Sequence, residues 1–92
     1  MPWKVRVKKK AMKKAQQMPQ IARANLQSLM RSIEESGPVR GDWPHYSKLG
    51  PNKHHCHLKE GQPTYVAVWE EIGEEINLVE VTYAGTHEKA PY

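Results

Sequence analysis

His54-His55-Cys56-His57 sets four side chains able to carry protons or bind metal in a row, ahead of Leu58 and an apolar segment. In an extended strand successive side chains leave opposite faces, so His55 and His57 share one face while His54 and Cys56 share the other. Imidazole exchanges protons near neutral pH, which suits such a pair to acid/base work. A further histidine, His87, lies in a short polar stretch five residues before Tyr92. His55, His57 and His87 together can serve as acid and base. The rival chemistry is a metal site in which the same three offer nitrogen ligands, with Cys56 facing away from them. No CxxC pair, HExxH or second cysteine supports structural zinc, so no metal and no cofactor is expected.

The elements that must position these residues are contained in 92 residues, enough for one domain spanning 1–92 with a single modest core. With 38% apolar residues, three Trp and four Tyr, the chain reads as folded rather than disordered. No apolar run approaches the roughly 20 residues that span a bilayer, and the basic stretch Lys4 to Lys14 lacks the apolar core of a signal peptide. A cytoplasmic protein is expected, with no membrane partner. The lone Cys56 excludes an intramolecular disulfide framework and fits a reducing compartment. Charge is divided unevenly: residues 1–50 carry eleven Lys/Arg against three Asp/Glu, and residues 51–92 carry three against seven. Such a surface attracts a polyanion, either nucleic acid or an acidic protein.

Trp3 to Lys8 alternates apolar and basic residues, the period of a half-buried strand. A short helix through Ala11, Met12 and Ala15 follows, reaching about Gln17. Pro19 suits the first position of a longer helix near Pro19–Ser36, whose stripe is Ala22, Leu26, Leu29, Met30 and Ile33. Gly37 and Pro38 stop it. Residues 37–53 read as loop, with Trp43, Tyr46 and Leu49 pinning it to the core. Three strands follow: His54–Leu58, then Thr64–Glu70 beyond the turn 59–63, then Ile76–Tyr83 beyond the turn Ile72-Gly73-Glu74-Glu75. The second is apolar on both faces and so central. A bulge is expected near Glu80, and Gly85–Tyr92 reads as an irregular tail. The fold class is α+β with order β-α-α-β-β-β, an antiparallel sheet backed by a helical pair on one face and open on the other.

In this order and length the chain resembles the RelE/ParE superfamily of type II toxin–antitoxin toxins. The ending Gly85-Thr86-His87 with Tyr92 behind it is similar to that of YafQ-type mRNA interferases, as is the placing of His57 ahead of Tyr65-Val66-Ala67-Val68-Trp69. The resemblance implies an endoribonuclease that cleaves mRNA on the ribosome, held inactive by a cognate antitoxin through which alone it would form oligomers. It implies His87 as acid/base residue, His57 beside it, and Tyr92 near a base. The strand arginine usual in RelE-like members is absent from Thr64–Trp69, and Glu60 stands for the expected acidic residue if the turn is shifted. Metal-free RNA cleavage needs a base for the 2′-OH, an acid for the 5′-oxygen and positive charge on the phosphate. His55, His57 and His87 fill the first two roles; Lys53 and Lys59, flanking the histidine strand, fill the third. A non-enzymatic module, either ParE-like or a basic nucleic-acid binder, uses the same basic surface and predicts indifference to histidine substitution.

Overall fold

The computed structural model describes residues 2–73 and 77–92; the expected turn at Glu74 and Glu75 and the expected strand start at Ile76 lie outside the described residues. The elements are β1 (Lys4–Val7), α1 (Lys9–Ala15), α2 (Gln20–Ser36), β2 (Ser47–Gly50), β3 (Lys53–Lys59), β4 (Tyr65–Glu71), β5 (Leu78–Thr86) and a 3-10 turn at His87–Lys89. They build an α+β fold: one five-stranded sheet, ordered β1-β5-β4-β3-β2, with both helices on one face. β4 is central, as its two apolar faces require, and Val66, Ala67, Val68 and Trp69 are all buried.

Helix α2 forms where the apolar residues recur at helical spacing. Ala22, Leu26, Leu29 and Ile33 are buried against Cys56, Leu58, Trp69, Val79 and Val81 from the sheet. Full burial of a side chain such as Leu29 or Ile33 contributes about 1.5–3 kcal/mol. The helix stops at Gly37, whose φ of 94° is open to glycine and whose N–H donates to the Ile33 carbonyl oxygen at 2.8 Å. Trp69 then fastens the departing chain: its indole N–H donates to the buried Pro38 carbonyl oxygen at 2.9 Å. Pro19 caps α2 rather than opening it, and α1 ends at Ala15, slightly short of the expected boundary.

The stretch expected to be all loop contributes a strand. Ser47–Gly50 pairs antiparallel with β3, setting Ser47 opposite His55 and Lys48 opposite His54. The sheet is mixed rather than purely antiparallel, because β1 runs parallel to β5, with Lys4 opposite Leu78 and Val7 opposite Val81. Trp3, Val5 and Val7 turn toward the helices while Lys4, Arg6 and Lys8 stay exposed. Glu80, which breaks the apolar pattern of β5, meets Arg6 across that parallel pair at 3.0 Å. The bulge falls two residues later than Glu80: Val68 faces Tyr83 and Trp69 faces Val81, leaving Thr82 as the extra residue. β5 also runs further than expected. Gly85 and Thr86 pair with Val66 and Tyr65 instead of joining the tail.

Among the described residues no helix is long and apolar enough to cross a membrane.

Candidate active site

β3 sorts its residues by parity. His54, Cys56 and Leu58 point into the helix side, and His55 and His57 leave the open side. On the inner side His54 is fully buried, stacked on Trp69 with ring centroids 5.7 Å apart. Its Nε2 lies 2.8 Å from Glu71 Oε2 and its Nδ1 lies 2.7 Å from the Tyr46 hydroxyl. A carboxylate only accepts, so the ring hydrogen sits on Nε2 and the Tyr46 hydroxyl donates to Nδ1. Burial, and then the Glu71 charge, hold the Tyr46 phenol above its ordinary value. Cys56 is equally enclosed, and burial pushes its thiol up to about 12, which leaves almost no thiolate for nucleophilic or metal chemistry. His54 and Cys56 therefore belong to the core.

The outer side gathers histidines from two ends of the sheet's C-terminal half, β3 and the segment after β5. His57 and His55 come from β3, with ring centroids 5.9 Å apart. His87 enters directly after β5, its ring 5.6 Å from that of His57. It is seated there because its backbone N–H donates to the Thr64 carbonyl oxygen at 2.8 Å, carrying the ladder past Thr86. Tyr92 closes the group, 4.9 Å from His55 and 5.9 Å from His87. His57, His87, Glu88 and Gly61 to Thr64 line a recess of about 530 Å³. The lysines divide. Lys59 Nζ lies 3.4 Å from the Glu60 carbonyl oxygen and beside Gly61 of the recess wall, whereas Lys53 sits at the other end of β3 opposite Glu70. Four residues of strand, about 13 Å, separate Lys53 from His57. The structure thus brings His55, His57, His87, Lys59 and Tyr92 together and leaves Lys53 outside.

The hydrogen bonds assign ring tautomers. Glu60, in the turn after β3, accepts from His57 Nδ1, which leaves the lone pair on Nε2. That hydrogen bond above all, with weaker help from the His57, His45 and His87 charges, holds the Glu60 carboxyl below the usual range against the opposing effect of burial. His55 Nδ1 lies 2.9 Å from Ser47 Oγ and 3.4 Å from the Ser47 carbonyl oxygen, an acceptor that favours hydrogen on Nδ1. Burial lowers the His55 pKa; the Ser47 contact opposes this and the neighbouring histidines add to it.

Three residues escaped the sequence reading of the site. His45, from the loop before β2, stacks on His57 at 4.3 Å and lies 3.8 Å from Glu60 Oε2. Lys14 and Lys89 line an adjoining recess of about 190 Å³ with Tyr83 and Thr86, and Lys14 Nζ stands 5.7 Å from the Tyr83 ring centre. Among the described residues the donors that converge tightly enough for a metal are His45, His57 and Glu60, all within 4.8 Å of one another. They replace the set His55, His57 and His87 that strand parity suggested.

Comparison with solved structures settles the architecture. A double arginine-to-alanine mutant of the E. coli toxin RelE in the free state superimposes with a TM-score of 0.74, covering 98% of this chain and 88% of that one at 19% identity. The isolated E. coli RelE toxin superimposes with a TM-score of 0.70, covering 97% and 88% at 19% identity. The fold is RelE-like. No family model matches the sequence, and no curated protein matches it significantly.

Proposed function

We propose that residues 1–92 form one toxin domain of a type II toxin–antitoxin system, a cytoplasmic, metal-independent endoribonuclease acting on ribosome-bound mRNA. The observation that carries this reading is the convergence of His57 and His87 on one recess, with Tyr92 beside His87, on the open face of a RelE-like sheet. Glu60 holds His57 with its Nε2 lone pair free, the arrangement of a general base, so His57 removes the 2′-OH proton. His87, 5.6 Å away, protonates the departing 5′-oxygen. The 2′-oxygen attacks the phosphorus as the P–O5′ bond breaks, giving a 2′,3′-cyclic phosphate and a 5′-hydroxyl. His55 supports the site as a hydrogen-bonding imidazole, Lys59 contributes positive charge at the rim, and Tyr92 stacks on a base. Lys53 is too far along β3 to share in this. A cognate antitoxin with acidic residues covers the basic surface, and oligomers form only through it.

The test is single-turnover cleavage of a ribosome-bound message by His87→Ala protein. His87 is exposed, so truncation leaves no cavity and the fold should hold. Loss of a general acid lowers the rate by about 10²–10⁴-fold. A wild-type rate from folded His87→Ala protein would discard the acid/base mechanism in favour of a non-enzymatic, ParE-like inhibitor.

A further inference from the structure

His45 is not needed for acid/base cleavage, yet the chain is shaped to hold it over His57. Its backbone is left-handed, φ 52°, a conformation rare for L residues other than Asn, Asp and His. Pro44 before it accepts the His57 backbone N–H at 2.9 Å, and the Tyr46 N–H after it donates to the Trp43 carbonyl oxygen at 3.2 Å. The first bond ties the loop to β3 and the second closes the turn around His45, while the Tyr46 hydroxyl reaches His54 of β3 at 2.7 Å. From the other direction the turn after β3 brings Glu60 against both rings, in hydrogen-bond contact with His57 Nδ1 and 3.8 Å from His45 Nε2.

We propose that His45, His57 and Glu60 form a binding site for a zinc-type transition-metal dication. Two imidazoles and one carboxylate are a common donor set for zinc, and it leaves a fourth position for water. The three donor atoms lie within 4.8 Å of one another and come from three separate segments, the loop, β3 and the β3–β4 turn. Small side-chain rotations close them to the roughly 3.3 Å spacing of tetrahedral ligands at zinc bond lengths. His45 and Glu60 are exposed, so the ion can reach the site from solvent. Magnesium, which prefers all-oxygen octahedral shells, does not fit it. Binding displaces the hydrogen that His57 Nδ1 donates to Glu60. The metal is then an inhibitor: it ties down the imidazole and carboxylate that the proposed cleavage uses. That consequence rests on the function proposed above; the site itself does not.

The experiment titrates untagged full-length protein with zinc chloride by calorimetry and with cobalt(II) by visible absorption, in the absence of RNA. Wild type should bind one ion and give the intense bands of tetrahedral cobalt. His45→Asn, chosen because Asn tolerates the left-handed backbone, and Glu60→Gln should each bind at least about tenfold more weakly, while His55→Ala, outside the donor set, should bind normally. Circular dichroism confirms that each variant is folded. In cleavage assays zinc should inhibit the wild type near its binding constant. His45→Asn should keep its metal-free rate and need at least about tenfold more zinc for inhibition. Absence of saturable binding, or binding that survives both His45→Asn and Glu60→Gln, would overturn the site. Protein that binds zinc through these residues but cleaves no RNA would leave the site standing and overturn the nuclease reading instead.

Discussion

Neighbouring histidines on β3 meet different surroundings because alternate side chains leave a strand on opposite faces. His54 is enclosed and has a hydrogen-bond partner for each ring nitrogen, so its burial costs little. His55, one residue on, has its pKa lowered chiefly by burial under the open-face cluster. This has a consequence for stability. Between the lowered folded value and the ordinary value of 6.5, the unfolded chain binds a proton that the folded chain does not. Bound protons in the unfolded state then exceed those in the folded state, and stability rises with pH. Glu60, held low by His57, acts in the same direction further into acid: its stabilisation is present above the ordinary carboxylate range and is lost as pH falls through its folded pKa. The melting temperature should therefore fall between pH 7 and pH 5, and fall less for His55→Gln, which keeps a polar group near Ser47 without the titration. An equal pH slope in the two proteins would show that His55 is not the group responsible.

At the scale of elements, the end of β5 decides where His87 stands. Gly85 is there for space: a Cβ would lie 2.9 Å from the Tyr83 hydroxyl, which donates to the Thr86 carbonyl oxygen at 2.6 Å. Gly85→Ala forces Tyr83 away and loosens Thr86, and with it the neighbouring His87. We expect about 1–3 kcal/mol of destabilisation from overpacking. Cleavage should slow by up to about 10²-fold, the usual effect of misplacing a reacting group by an ångström. Chemical denaturation and single-turnover kinetics on the same preparation separate the two effects. Much of this frame was legible in the chain. The α2 stripe and the doubly apolar β4 announce themselves, because helical and extended periods bury distinct residue sets. β2 did not, since Ser47-Lys48-Leu49-Gly50 has no apolar alternation and becomes a strand only by pairing with His54 and His55. The shared face of His55 and His57 follows from parity. His45 was illegible: a single histidine among Gly, Asp and Pro carries no period, and its place over His57 is set by the backbone bond from His57 to Pro44.

For the molecule as a whole, charge follows the layers. Lys8, Lys9, Lys10, Lys13 and Lys14 are all exposed along α1 and its N-cap, and Lys14 reaches over β5 to the ring of Tyr83. If the proposed function holds, an acidic antitoxin segment meeting these lysines should associate quickly at low salt and more slowly as the Debye length shrinks from about 10 Å at 0.1 M toward 3 Å at 1 M. Stopped-flow association with the co-expressed partner, wild type against Lys13→Gln/Lys14→Gln, should show a weaker salt dependence for the double variant. Salt-independent association would place the contact on another surface. The parallel seam between β1 and β5 bears on birth as well as on stability. Residues 4–7 leave the ribosome early but have no sheet neighbour until residues 78–81 arrive. His87 follows only six residues after that register ends. Docking of β5 between β1 and β4 therefore seats the first strand and the last histidine in one event. Until then a growing chain holds His55 and His57 without their counterpart, and the ribosome translating it faces an incomplete histidine cluster.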